Sequence, residues 1–164
     1  MRLSHLSVQQ IGGVCLLTLL SAAHIITLPA KAELPTNGSL TVEVTGLENT
    51  NGQVCFSVFE SSEGFPSDSE AVFAEQCVSA EESADEDAAP LSVTFPDLSM
   101  GTYAVSVLHD ENGDEQINQG TFGIPTEGFG FSRNPTVQTG APEFYETAVF
   151  VFGDTTIQVE MIYF

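Results

Sequence analysis

The stretch SLTVEVTG, residues 39–46, decides the fold class. Its apolar side chains Leu40, Val42 and Val44 alternate with polar ones, and a period of two predicts a β-strand with one face in the core. The next stretch, NTNGQVCFSVFE at residues 49–60, contains an Asn-Gly turn and then repeats the alternation. Together the two stretches predict a β-hairpin.

Strand signals recur along the rest of the chain, and no stretch keeps a helical period over three turns. About seven short strands predict an all-β fold, an antiparallel β-sandwich. TAVFVF at residues 147–152 and TTIQVEMIYF at residues 155–164 predict a terminal hairpin around Gly153-Asp154. A short helical turn is expected within SDSEAVFAEQ, residues 67–76.

One long Gly/Phe-rich loop, residues 110–146, does not fit a minimal sandwich. So long a connection is uncommon unless it is functional or disordered, and its aromatic residues argue against disorder. Two alternatives stay open: the aromatic side chains pack back over an open end of the sandwich, or they line a ligand groove. We expect Phe129 and Phe131 to be buried, because glycines at 128 and 130 allow a close approach to the sandwich.

The start of the chain predicts export. Residues 1–32 contain an arginine near the amino end, the apolar stretch Ile11–Ala23 and the small-x-small sequence Ala30-Lys31-Ala32, which are typical of a secretory signal peptide. A retained anchor is the alternative, but a histidine and a proline interrupt the run of about 20 apolar residues that a spanning helix needs. We therefore expect residues 1–32 to be removed and residues 33–164 to form a single periplasmic or secreted β-sandwich domain without a membrane span.

The charge of residues 33–164 narrows the class of partner. Without Arg2 and Lys31 one basic residue, Arg133, stands against 23 acidic residues, which gives a net charge of −22. Such a surface repels phosphate backbones and anionic headgroups, so nucleic acids and membrane surfaces are disfavoured as partners. We expect Arg133 to pair with Glu127 or another acid; binding of an anionic ligand is the alternative.

Cys55 and Cys77 are the two cysteines that follow residue 32. An even pair in an exported protein predicts a disulfide, and two buried free thiols are the alternative. Closing a loop of this size would stabilise the fold by roughly 3 kcal/mol in the chain-entropy model.

The stretch HDENGDEQIN, residues 109–118, is the candidate metal site. Its oxygen-bearing residues match positions one, three, five, seven and nine of a calcium loop, in which the seventh position contributes its backbone carbonyl. They are Asp110, Asn112, Asp114, Gln116 and Asn118. Oxygen donors suit a hard cation, so calcium is the candidate cofactor.

Two positions of this stretch depart from a complete calcium loop. Glu115 stands where a glycine normally makes the sharp turn, and Thr121 stands where a glutamate completes the shell. The alternative is an acidic turn held by hydrogen bonds from its own backbone amides, which Asp and Asn form readily without metal.

Several motifs, taken together, carry a family resemblance. They are LTVEVTGLENTNGQVCFSVFESSEGFP, GTYAVSVLHDENGD, GIPTEGFGFSRNP and GAPEFYETAVF, in this order. The chain resembles the bacterial family known as domain of unknown function 2141, over nearly all of residues 33–164. The resemblance implies an exported β-sandwich of the transthyretin-like or carboxypeptidase-regulatory-like kind, with no established activity. The family usually has Asn-Gly or Asp-Gly where this chain has Asp114-Glu115, and often Asp where it has Asn118.

The residues that could carry catalysis are few. His109 is the one histidine after residue 32, and no GxSxG-type context surrounds a serine. We expect a non-enzymatic exported module that binds an envelope partner or a small ligand held by the long loop, with calcium as its candidate stabilising ion. The alternative is an envelope hydrolase that uses loop carboxylates on a carbohydrate or a peptide.

Overall fold

The computed structural model describes residues 36–83, 90–138 and 140–164. Eight strands form within these ranges: β1 Asn37–Thr45, β2 Gln53–Phe59, β3 Ala74–Ser79, β4 Leu91–Ser99, β5 Gly101–Asp110, β6 Gly128–Phe131, β7 Val149–Val151 and β8 Asp154–Glu160. One α-helical turn, α1 Phe144–Thr147, and three 3₁₀ turns, Ser69–Ala71, Ala80–Ser83 and Thr121–Gly123, complete the regular structure. The expected helical turn within residues 67–76 is confirmed.

The first sheet has the order β4-β1-β8. Its central strand β1 pairs antiparallel with β4 and parallel with β8, with Val42 opposite both Val93 and Ile157. The predicted β1–β2 hairpin is wrong, because β2 belongs to the other sheet. The apolar faces of β1 and β2 both reach the core because the two sheets to which they belong enclose it from opposite sides.

The second sheet has the order β3-β2-β5-β6, and β7 pairs with the first residues of β5. The predicted terminal hairpin is also wrong, since β7 joins β5 and β8 crosses to β1. The backbone amide of Ser39 donates to the Gly153 carbonyl at 3.2 Å, which holds this crossing against the start of β1. An alternating pattern shows which face of a strand is buried and leaves its partner and direction open.

The core lies between the two sheets. Leu40, Val42, Val54, Phe56 and Val105 each have no exposed surface. The all-β two-sheet fold is therefore confirmed, with eight strands instead of about seven. The additional strand is β6, which lies inside the segment that was expected to be a long loop.

The predicted signal peptide, residues 1–32, lies outside the described residues, as does most of the acidic stretch EESADEDAAP at residues 81–90. The described residues belong to one unit, Glu33–Phe164. No helix in the described ranges is longer than four residues, so none of them could cross a membrane.

Candidate functional site

Strand β6 has the sequence GFGF, and its two residue types face opposite ways. The glycines face inward: a Cβ atom at Gly130 would lie 2.6 Å from Cγ1 of Val159, so only glycine fits this close approach. Phe129 and Phe131 consequently point to the outer face of the second sheet, where they are 7% and 6% exposed. Their predicted burial is confirmed, but they lie outside the central core.

The outer face of the second sheet carries two transverse rows of side chains, set by strand register. The first is apolar and runs from β3 to β6: Cys77, Cys55, Leu108 and Phe129. The second is polar at one end and aromatic at the other: Glu75, Ser57, Ser106 and Phe131. The Ser57 hydroxyl donates to Oε1 of Glu75 at 3.0 Å, and the Ser106 hydroxyl donates to the Pro66 carbonyl at 3.0 Å.

The apolar row contains the predicted disulfide. Cys55 and Cys77 are bonded, which confirms the pairing. They lie directly opposite each other on β2 and β3. The bond therefore links the edge strand β3 covalently to its neighbour β2 on the outer face of the sheet.

Apart from Cys77, the residues of these two rows line an open groove of about 930 Å³ and form its floor. Its rim carries exposed apolar side chains, with Phe122 96%, Ile124 49% and Phe164 69% exposed. Sites for small organic molecules have about this volume and a largely apolar lining. Phe129 and Phe131 of the long loop therefore do not pack over an open end of the sandwich; they form part of a strand and line a groove on the outer face of the second sheet.

An aromatic cluster borders the groove. Phe65 packs edge-on against Phe59 and Phe144, with ring centroids 5.3 and 5.9 Å apart. It also packs against Phe131 at 6.2 Å. The segment that contains Pro66 is therefore held over one side of the floor.

The acidic turn after β5 is organised around Asp110, which has no exposed surface. Its Oδ1 accepts from the amides of Gly113 and Asp114 at 2.8 and 3.2 Å, and its Oδ2 accepts from the amide of Glu115 and from Gln53 Nε2 at 2.9 Å each. Burial opposes ionisation, but these hydrogen bonds outweigh it and lower the pKa of Asp110 below 3.8. Glu115 takes φ 58°, so it makes the sharp turn at the position where a calcium loop has glycine.

Three further predicted ligands converge beside Asp110. The amides of Asn112 and Asn118 both donate to Oδ2 of Asp114, at 3.1 and 3.0 Å, and Asn112 Nδ2 also donates to Asn118 Oδ1. The Asn118 amide and the Gln116 backbone N–H lower the pKa of Asp114. Gln116 contributes this backbone donation at 3.0 Å, while its side chain lines the groove.

The observed turn is therefore closed by its own N–H groups, as in the metal-free alternative. Within the described residues, no three His, Cys, Asp or Glu side chains form a group that could hold a metal. The convergent oxygens of Asn112, Asp114 and Asn118 are nevertheless of the type that calcium prefers. Calcium binding here stays a prediction.

Glu127 supports this turn from the strand side, and no sequence signal marked that function. It is 6% exposed, and its two oxygens accept from the backbone amides of Glu111 and Asn118 at 3.2 and 2.9 Å. Arg133 was expected to pair with Glu127 or another acid; Glu127 stands at the opposite end of β6, and Arg133 forms no ion pair with an acid among the described residues. Arg133 is exposed, and its Nη1 donates to the Tyr145 carbonyl at 3.4 Å.

His109 lies on the inner side of the same strand end, with no exposed surface. Its Nε2 is 2.9 Å from the Asn51 carbonyl, and its Nδ1 is 2.8 Å from Oη of Tyr163. A carbonyl can only accept, so Nε2 donates to Asn51, and in the neutral ring Nδ1 then accepts from the tyrosine hydroxyl. This arrangement fixes the Asn51 turn to the carboxyl-terminal segment.

The comparisons with known proteins agree with the sequence resemblance. No curated protein sequence and no solved structure matches the chain. Residues 42–160 match a family that is described as uncharacterized protein conserved in bacteria. The matched range runs from within β1 to the end of β8 and includes both the groove floor and the acidic turn. The chain therefore belongs to the domain of unknown function 2141 (DUF2141) family.

Proposed function

We propose that the protein is an exported, non-enzymatic binding module that holds a small, largely apolar molecule in the groove on the outer face of its second sheet. The observation that carries this proposal is the floor of Leu108, Phe129 and Phe131 beneath an exposed apolar rim. Exposed apolar side chains next to a concave apolar surface are a common mark of a ligand-binding site.

Two features support the exported part of the proposal. The Cys55–Cys77 disulfide is typical of oxidising compartments. The described chain also has no helix that could cross a membrane. Both are compatible with a periplasmic or secreted protein that begins with a signal peptide.

The hydrolase alternative requires a carboxyl group that keeps its proton near neutral pH, which a raised pKa provides. Among the described carboxyl groups, those with resolved shifts, Asp110 and Asp114, have lowered pKa values. Both are also hydrogen-bonded within the turn. This favours a structural purpose for the two acids over proton transfer.

The test uses N-phenyl-1-naphthylamine, a neutral dye whose fluorescence rises in apolar surroundings. We expect the wild type to bind it and Leu108→Glu, which places a charge on the floor, to weaken binding about tenfold or more. Phe150→Glu is the matched control, because it adds the same charge at a side chain that is 62% exposed and outside the groove. Equal binding by the two variants, or no binding by the wild type, would overturn the proposal.

A second variant guards against a folding defect in Leu108→Glu. Phe122 is 96% exposed on the rim, so Phe122→Ser removes apolar contact area without disturbing the core. We expect it to weaken dye binding, while Phe150→Ser leaves binding unchanged. Circular dichroism of each variant confirms that the fold is retained.

A further inference from the structure

The charge of the groove indicates which apolar molecules it accepts. The charged side chains among its described lining residues are Glu75 and Glu115, both acidic and both exposed. Arg133, the one Lys or Arg after residue 32, lies outside this lining. The groove therefore combines an apolar floor with a negative border.

We infer that the groove selects a small ligand with a positively charged head on an apolar body. The inference rests on the proposed function and adds the chemical class of the ligand. Glu75 supplies the counter-charge, and the apolar body lies over Leu108, Phe129 and Phe131.

Strand register gives the groove this polarity. Glu75 and Phe131 stand at opposite ends of one transverse row, separated by Ser57 and Ser106. Three strand spacings separate them, about 14 Å, which is the scale of a small amphiphile. A cation near Glu75 places its apolar tail toward Phe129 and Phe131, and a shorter ligand brings the cation near aromatic faces that also attract it.

An anionic ligand would be repelled by the acidic side chains of the groove. A carboxylate in the groove would approach Glu75 and Glu115 within a domain, residues 33–164, whose net charge is −22. An ionised group without a partner loses hydration that the apolar floor does not replace. A neutral ligand gains the apolar contacts without the attraction to Glu75.

The test compares octyltrimethylammonium, 1-octanol and octanoate, which share one chain and differ in charge, as competitors of N-phenyl-1-naphthylamine. We expect the cation to displace the dye with a Kd about fivefold lower than the neutral alcohol, and octanoate to be the weakest competitor. Glu75→Gln keeps an acceptor for the Ser57 hydroxyl and should remove most of this preference.

Glu43→Gln is the matched control, because it makes the same change of charge on β1 of the other sheet. It should leave the preference intact. Equal displacement by all three competitors, or equal losses in the two variants, would overturn the ligand class while dye binding still upheld the groove. Absence of dye binding in the wild type would instead overturn the proposed function itself.

Discussion

Gly130 of β6 lies against Val159 of β8, so close that a Cβ atom at position 130 would be 2.6 Å from Val159 Cγ1 and 3.0 Å from the Glu160 carbonyl oxygen. The two strands belong to different sheets. This contact turns the odd residues of β6 outward, and it thereby places Phe129 and Phe131 in the groove.

The first prediction follows from this contact. Gly130→Ala must displace β8 or its own strand, so we expect the free energy of unfolding to fall by about 1–3 kcal/mol. Urea denaturation followed by circular dichroism measures it. Gly101→Ala is the control, since a Cβ there meets Tyr103 at an ordinary 3.4 Å and should change stability by less than about 0.5 kcal/mol. Equal small effects at both positions would show that β6 and β8 are not tightly packed.

The second prediction concerns Phe131, which contacts Phe65 and Phe129 with ring centroids 6.2 and 5.7 Å away. Phe131→Ala should lower the free energy of unfolding on the order of 3 kcal/mol, because these contacts are lost and a cavity remains. Phe150→Ala, at a side chain that is 62% exposed, should have a much smaller effect. A neutral Phe131→Ala that has lost dye binding would assign this side chain to the ligand alone.

The sequence predicted the fold where a strand keeps large apolar residues on its inner face. Leu40, Val42 and Val44 show that pattern, and they are buried as expected. Strand β6 has the same period, but its inner positions are glycines. It therefore lacks the large apolar inner residues by which the other strands were predicted. The alternation of glycine with phenylalanine in GFGF was nevertheless a readable period-two signal.

The candidate site was only partly predictable for a related reason. The spacing of Asp110, Asn112 and Asp114 predicted a turn, and the turn is present. The contribution of Glu127 was missed because its partners are backbone amides, whose directions depend on the folded loop. The excess of acidic residues likewise suggested an ion pair for Arg133, but net charge does not show which acid lies near it in the folded protein.

The third prediction concerns the hydrogen bond between His109, which is buried, and Tyr163, which is partly buried. Tyr163→Phe leaves Nδ1 of His109 without its donor in a dry site, so we expect a loss of about 1–3 kcal/mol in the free energy of unfolding. Tyr145→Phe, at a side chain that is 71% exposed, is the matched control and should be nearly neutral. Similar stabilities of the two variants would contradict a structural contribution from the hydroxyl.

The same pair has a signature at alkaline pH. Burial, followed by the negative charges of Glu111 and Glu48, raises the pKa of Tyr163 above 10.0, although a hydrogen bond from the Glu48 amide opposes the shift. The neutral hydroxyl is thus favoured by folding, and its contribution is present below pH 10 and lost as the pH rises through the folded-state pKa. Wild-type stability should fall more steeply above pH 10 than that of Tyr163→Phe, as equilibrium unfolding at a series of pH values would show.

The fourth prediction concerns export and the disulfide. Protein recovered from its native envelope should begin at Glu33, because cleavage is expected after Ala30-Lys31-Ala32. Its intact mass without reductant should be lower than the reduced mass by two hydrogens, since Cys55 and Cys77 are bonded. A retained apolar start, or alkylation of both thiols without prior reduction, would contradict the corresponding half of this prediction.

The last prediction concerns calcium at the acidic turn. Asn112, Asp114 and Asn118 already lie within hydrogen-bonding distance of one another, so rotation of the two amides would direct their oxygens toward a shared cation. Because the glutamate of a complete calcium loop is replaced by Thr121, we expect a weak Kd of about 0.1 to 1 mM. Millimolar calcium should then stabilise the wild type by about 0.4 to 1.4 kcal/mol.

Calorimetric titration and thermal melts, with calcium and with chelator, measure this effect. Asp110→Ala and Asp114→Asn should abolish it, whereas Glu111→Gln, which changes an acid at a position that is not a predicted ligand, should retain it. Asp114→Asn keeps the side-chain shape, so it separates lost ligation from a collapsed turn. If the wild type behaves identically with chelator and with several millimolar calcium, the hydrogen bonds from the amides of Gly113 and Glu115 to Asp110 account for the turn without a metal.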